Sequence, residues 1–397
     1  VDQTADVYYD PYDVDISADP YPTYRRLRDQ APLYYNEKHD FYAVSRFEDV
    51  ERGLVDRATF SNSRSDVLEF IQAGVEFPFG IFLFEDPPQH TKHRALISRV
   101  FTPRRVSALE PQVREFCAHS LDPLVGGGGF DFVGDLGAQM PARVIGMLLG
   151  IPQGDQQTIR ERMDVGMTTD PGQPRETDDL SEALGGGVFA EYIDWRAEHP
   201  SDDLMTDLLN AEFEDETGTT RRLARDEVLT YVNLLAGAGN ETTARLIGWA
   251  GKVLADHPDQ RRHLVEDPSL IPNAVEELLR FEPPTPHAAR YVVQEAEFHG
   301  QTVPTGSALM CLMGAANRDE RRFPDPDGFD VRRQPGGHLT FGFGIHYCLG
   351  NALARLEGRI ALEEVLKRFP EWTVDEANAK FVSSSLVRGW ETLPVSV

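Results

Sequence analysis

From Arg225 to Asp256 the chain carries a pattern that reads as one unbroken helix. Asp226 and Glu227 open it, where the positive end of a helix dipole favours acids, and His257-Pro258 closes it. At ~1.5 Å per residue such a helix spans about 48 Å, enough to cross a whole molecule. Its middle is apolar almost all round (Leu229, Val232, Leu234, Leu235, Leu246), which predicts burial. A chain with a buried rod of this length must pack other elements on every side of it. The rest is mostly helical too: Tyr21 to Asp29 follows Pro20, and Gln89 to Phe101 follows Pro87-Pro88. Strand-like pieces are short: Phe41 to Val44, Tyr291 to Val293 and Ala308 to Leu312, with a hairpin between Phe298-His299-Gly300 and Pro304-Thr305-Gly306. The four glycines Gly126 to Gly129 read as a surface loop. The expected class is mainly α with small β-sheets.

The 397 residues exceed the ~250–300 at which one core tends to split, yet no linker or repeat divides them. The length leaves two domains or one large, cofactor-filled one; without a linker, the expectation is a single domain over 1–397. Sixty-five acids against 39 basic residues give a net charge of −26, which repels nucleic acid and anionic membranes. Three cysteines cannot build a disulfide framework. No apolar run approaches the ~20 residues that span a bilayer, and Val1-Asp2-Gln3 does not read as a signal peptide. The expectation is a monomeric cytoplasmic protein.

The most informative segment is Phe341-Gly342-Phe343-Gly344-Ile345-His346-Tyr347-Cys348-Leu349-Gly350. A helical stripe (Ala352, Leu353, Leu356, Ile360) follows, so Cys348 stands just before a helix N-terminus. That position lowers a thiol's pKa and aims backbone amides at the sulfur. Taken alone, such a cysteine is more often a buried small residue than a ligand. The whole segment, however, resembles the haem-ligand stretch of the cytochromes P450, of the bacterial type without a membrane anchor. The resemblance runs from Asp19-Pro20-Tyr21 to Leu393-Pro394-Val395. It implies the fold of that family, with the long helix crossing the molecule beside haem b (iron protoporphyrin IX). It makes Cys348 the proximal thiolate, which pushes electron density onto iron and favours O–O cleavage. Phe341 would pack beside the sulfur, and the amides of Leu349 and Gly350 would hydrogen-bond it. Cys117 and Cys311 fall in apolar patterns and read as inert.

Within the long helix, Ala238-Gly239-Asn240-Glu241-Thr242-Thr243 breaks local rules, because Gly, Asn and Thr suit helix interiors poorly and a carboxylate in an apolar stripe needs a partner. The bland reading is a kinked, packed helix. The family resemblance implies more: Ala238 and Gly239 leave room for dioxygen, Thr242 places a hydroxyl there, and Glu241 relays protons from water.

The same resemblance assigns the haem propionates to His90, Arg94, Arg290 and His346; His90 and Arg94 share a helix face. Arg suits carboxylates through its planar fork. Glu277 and Arg280, with Arg333 as third partner, would have a structural role, although Arg332 is adjacent. The four phenylalanines between Phe77 and Phe84 are unusual for a loop. Phe79, Ile81 and Phe82 are expected at the substrate, with Leu235, Ala238, His287, Ala288 and Leu386.

The implied activity is a haem-thiolate monooxygenase. It inserts one oxygen atom from O2 into an apolar terpenoid, fatty-chain or steroid-like molecule. Electrons would come from an iron–sulfur ferredoxin and its NAD(P)H-dependent reductase, docking on Arg104, Arg105, Arg355 and Arg359. A hydrogen-peroxide-dependent peroxygenase and a non-catalytic haem sensor or carrier are the alternatives.

Overall fold

A computed structural model describes residues 7–77, 80–152, 154–155, 173–174, 189–215, 217–383 and 386–397. Six helices position the site: α1 (Gln89–Ser98), α2 (Glu110–Leu121), α3 (Met140–Leu148), α4 (Arg225–Asp256), α5 (Ile271–Phe281) and α6 (Asn351–Arg368). The expected bounds of α4 are the observed ones. Its start is fixed by Glu227, whose side chain accepts the Ala224 N–H at 2.6 Å. The predicted Gln89–Phe101 helix ends instead at Ser98. Pro103 explains the difference: it needs an extended residue before it. Thr102 takes that conformation and caps a new short helix, Pro103–Ser107.

The helix α6 has buried residues on nearly every face because it lies between α2 on one side and α4 and α5 on the other. The three inner helices meet at Gly358. A Cβ there would stand 3.1 Å from Leu246 and 3.3 Å from Val275, so a larger residue would push α4 or α5 outward. This junction belongs to the main apolar core.

The strands of the principal sheet are β1 (Leu33–Asn36), β2 (Phe41–Val44), β3 (Phe60–Ser61), β4 (Ala288–Val292) and β5 (Ala308–Cys311). Their spatial order is β1-β2-β5-β4-β3. Only the β2–β5 pair is parallel. The observed β4 begins three residues earlier than Tyr291, because Ala288 to Arg290 pair with β5 despite alanine's weak strand preference. The expected hairpin is present, with His299 and Gly300 at positive φ in its turn. A second pair, β6 (Lys380–Ser383) and β7 (Arg388–Thr392), lies against α4. Among the described residues no helix is long and apolar enough to cross a membrane.

Candidate active site

Cys348 lies between a short helical turn, Gly344–His346, and the start of α6. Its N–H donates to the Phe341 carbonyl at 2.8 Å, which folds the segment into a closed loop. Burial pushes the thiol up from its ordinary pKa. Hydrogen bonding from Gly350 and Asn351 and the charges of Arg94 and Arg355 pull it the other way. Of the expected Leu349–Gly350 pair, Gly350 is thus near the sulfur, and Asn351 joins it. Phe341 is buried beside this loop, and the Arg355 guanidinium lies 4.5 Å from its ring centroid. Cys117 and Cys311 are buried, and burial holds their thiols at about 12 and about 11 respectively.

Four basic side chains converge next to Cys348. The rings of His90 and His346 are 4.3 Å apart. Arg94 donates to the Tyr347 carbonyl at 2.5 Å, and Arg290, almost fully buried, donates to the Ala289 carbonyl at 2.7 Å. Burial lowers the His346 pKa to about 3, helped by the positive charges of His90, Arg290 and Arg94. Both ring nitrogens of His90 and Nε2 of His346 are buried without a partner. Neither Arg94 nor Arg290 forms an ion pair among the described residues. Buried polar groups are nearly always satisfied, so this cluster fits an anionic guest with several acceptor oxygens. The two carboxylates of haem meet that requirement, and Cys348 supplies a thiolate for the metal.

Along α4 the accessible residues form a stripe. Ala238 is exposed in the middle of an otherwise buried helix, and Glu241 and Thr242 are half-buried beside it. Thr242 Oγ1 donates to the Ala238 carbonyl at 2.8 Å. Gly239, also half-buried, stands next to it. A Cβ on this glycine would stand 2.7 Å from Ile145 Cδ1, so its missing side chain seats α3 against α4. The missing side chain of Gly239 thus has a packing role that the sequence did not suggest, while Ala238 is the more exposed of the pair. Glu241 is ion-paired with Arg245, one turn on. Arg245 was missed at the sequence level, although an (i, i+4) acid–base pair could have signalled it.

The substrate wall is only partly as expected. Ile81 and Phe82 are 1% and 4% exposed and pack into the main core, where Phe82 lies beside His90 and Arg94. Leu83 and Phe84 next to them keep accessible surface. Phe79 lies outside the described residues. Leu235 and Ala288 are buried, while His287 and Leu386 are half-buried. Leu386 packs with Phe77 against Val67 and Phe70.

Glu277 and Arg280 form a fully buried bidentate pair at 2.7 and 2.8 Å. Arg333 completes it, with Nε 3.0 Å from Glu277 and further bonds to the Pro324 and Asp325 carbonyls. The ambiguity with Arg332 is resolved for Arg333. The expected basic patch is smaller than the sequence implied. Arg355 pairs with Glu276 and Arg359 with Glu110 and Glu363. Burial alone would raise the Glu276 carboxyl, but hydrogen bonds from His338 and Arg355 bring it to about 2. Arg105 pairs with Asp207 at 3.2 Å. Arg104, on the short helix that packs on α6, is exposed and meets no carboxylate among the described residues.

Comparison with known proteins accounts for this arrangement. The family model for cytochrome P450 matches residues 186–385. Cytochrome P450 123 of Mycobacterium tuberculosis is 39% identical over 98% of this chain and 96% of that protein. The chain belongs to the cytochrome P450 family. The vitamin D(3) 25-hydroxylase of Pseudonocardia autotrophica is 36% identical, over 95% of this chain and 94% of the relative. Among solved structures, a mutant of P450 EryK in complex with erythromycin B superposes with a TM-score of 0.87 at 32% identity, covering 97% of each chain. The protein is thus a cytochrome P450 monooxygenase with the fold of that family. Proteins of this family bind haem b through a cysteine thiolate and act with a redox partner, an organic substrate and O2.

Proposed function

We propose that Cys348 is the thiolate ligand and that His90, Arg94, Arg290 and His346 receive the propionates. The reading is carried by one observation: the only accessible cysteine among the described residues stands beside a buried basic cluster in which the His90 nitrogens and His346 Nε2 have no partner and neither Arg94 nor Arg290 has a carboxylate in ion-pair range. Haem, when bound there, supplies the activation of dioxygen. The protein's own groups do the rest. Burial and the Gly350 and Asn351 amides set the charge on the sulfur. Ala238 leaves the space beside α4 open. The Thr242 hydroxyl, already a donor to a backbone carbonyl, can exchange that bond for one to the reacting oxygen. Glu241 carries protons to it.

The substrate is an apolar, mostly neutral small molecule: Phe77, Leu83, Phe84, Ala238 and Leu386 keep accessible surface and are assigned to its wall. The erythromycin B, steroid and vitamin D named for similar proteins support a bulky substrate of low charge. Electrons come from an acidic ferredoxin and its NAD(P)H-dependent reductase, in the cytoplasm. An acidic partner needs a local basic contact on a protein of charge −26, and Arg104 is the candidate that remains.

Reduced protein under CO should show the red-shifted Soret band of a thiolate ligand. A Cys348→His variant that kept the band would remove Cys348 from the iron. Arg104→Glu should slow the first electron transfer from ferredoxin at low salt, whereas Arg359→Glu should not. Equal effects from both variants would refute a patch centred on Arg104.

A further inference from the structure

The acid of the distal helix is not free. Glu241 Oε1 accepts a bond from one terminal nitrogen of Arg245, and both side chains are mostly buried, at 16% and 10% exposure. The other terminal nitrogen of Arg245 donates to the carbonyl of Trp390 on β7. The neighbouring residue of that strand is fitted to the arginine: a Cβ on Gly389 would stand 2.9 Å from Arg245 Cδ. One turn further along α4, Trp249 Nε1 donates to the Arg388 carbonyl at 3.0 Å. The strand and the helix are thus joined twice, and one of the joints ends on Glu241.

The strand leads directly from the Leu386 turn. Leu386 packs with Phe77 against the Val67–Phe70 cluster, on the wall assigned above to substrate. A displacement of this turn has a short route to Glu241: β7, the Trp390 carbonyl and Arg245. A planar guanidinium is suited to such a bridge, since its fork holds a carboxylate and a carbonyl in fixed relative positions.

We propose that Arg245 is a positioning residue for proton delivery, which holds Glu241 against the C-terminal strand and ties its orientation to the Leu386 turn. The proposal rests on the assignment of Glu241 to proton supply. The two terminal nitrogens of Arg245 are taken up by Glu241 and the Trp390 carbonyl, so its assigned role is through the carboxylate and not on the reacting atoms. Substrate that presses on the turn shifts the Trp390 carbonyl, and the arginine transmits the shift to the carboxylate. A structural staple would make the same two contacts, so the test must separate positioning from support.

The test uses dioxygen itself as probe, in holoenzyme reduced by a plant ferredoxin and its reductase with no organic substrate present. NADPH consumed, hydrogen peroxide released and the D2O isotope effect on turnover are measured for Glu241→Gln, Arg245→Gln, the double variant and Gly389→Ala. Haem content and the CO band show which variants are assembled. Arg245→Gln should slow turnover by about tenfold, less than the roughly 10²-fold loss of a complete acid–base group, and raise the D2O effect. The double variant should match Glu241→Gln alone, because Arg245 acts only through that carboxylate. Gly389→Ala, which pushes on the arginine from outside the site, should act in the direction of Arg245→Gln. A readout without turnover is the Glu241 carboxylate stretch, isolated by subtracting the infrared spectrum of Glu241→Gln; it should shift in Arg245→Gln and in Gly389→Ala. Equal losses from Arg245→Gln in the presence and absence of Glu241 would make the arginine a staple and overturn the proposal. A Glu241→Gln protein with unchanged turnover and isotope effect would instead overturn the assignment of Glu241.

Discussion

Gly239 offers a direct contest between two effects of known size. Replacing a mid-helix glycine by alanine gains about 1 kcal/mol of helix propensity. Against that, the new methyl would stand 2.7 Å from Ile145 Cδ1 and 3.1 Å from its Cγ1. Carbon contacts are comfortable at about 3.5–4.0 Å, so close to 1 Å of overlap must be relieved by moving α3 or α4. Ile145 is 6% exposed and cannot swing into solvent. Overpacking of this kind costs about 1–3 kcal/mol. Gly239→Ala should therefore destabilise by about 1 kcal/mol net. Ile145→Val removes the clashing Cδ1 and alone should cost about 0.5–1.5 kcal/mol. Together the two changes should nearly cancel, since the new methyl fills the vacated space and the propensity gain remains. The coupling is then about 1.5–2.5 kcal/mol in favour of the double variant. Urea unfolding of the four haem-loaded proteins measures it, and the CO band should stay put in all of them. Additive losses would refute the packing reading. A Gly239→Ala protein of normal stability with an altered CO band would assign Gly239 to the dioxygen space instead.

Thr242→Ala should fold and bind haem normally, since it gives up only the bond to the Ala238 carbonyl, yet it should release more peroxide per NADH; full coupling of NADH to product in this variant would remove the hydroxyl from the mechanism. Glu277→Gln strips a buried carboxylate from two arginines and should cost about 3–5 kcal/mol in chemical denaturation; a loss below about 1 kcal/mol would show the triad to be incidental. Glu357 is fully buried on α6, and burial alone raises its carboxyl well above the ordinary range. The folded state then keeps a proton that the unfolded state releases above about pH 4.3, so this group loses stability as pH rises toward its folded pKa. Glu357→Gln should gain on the wild type by up to about 1.4 kcal/mol per pH unit above that point, and parallel stability curves from pH 4.5 to 7.5 would contradict a protonated Glu357.

The parts of this fold that were legible in the sequence are those governed by one local rule. The bounds of α4 follow from its acids and its closing proline, and β2 and β5 follow from short apolar runs. The early end of α1 was obscured because the Thr102–Pro103 restart acts on residues before it. The start of β4 was obscured because Ala288 and Ala289 gain their strand character only from pairing with β5. The site divides in the same way. The Cys348 segment was readable as a contiguous pattern. Which arginine completes the Glu277 pair, and which amides reach the sulfur, depends on how loops close in space.

The directions in which helix residues point carry the same lesson further. Residues 238, 239, 241 and 242 are neighbours in sequence, but on a helix they are about 100° apart per step and serve different surfaces. Ala238 and Thr242, four apart, share the open stripe. Gly239 looks toward α3, and Glu241 looks along its own face to Arg245 and from there to β7. A motif read as one functional block is therefore three devices placed side by side: an opening, a helix-packing notch and a tether to the C-terminal sheet. Their proximity has a physical reason. The opening beside Ala238 leaves α4 without packing on one face, so the helix must be held more firmly on the others. The notch at Gly239 lets α3 approach closely, and the Arg245 and Trp249 bonds fix β7 on the remaining side. On this view the poor helix formers within α4 are tolerated because each serves a contact or a space that a better helix former would fill.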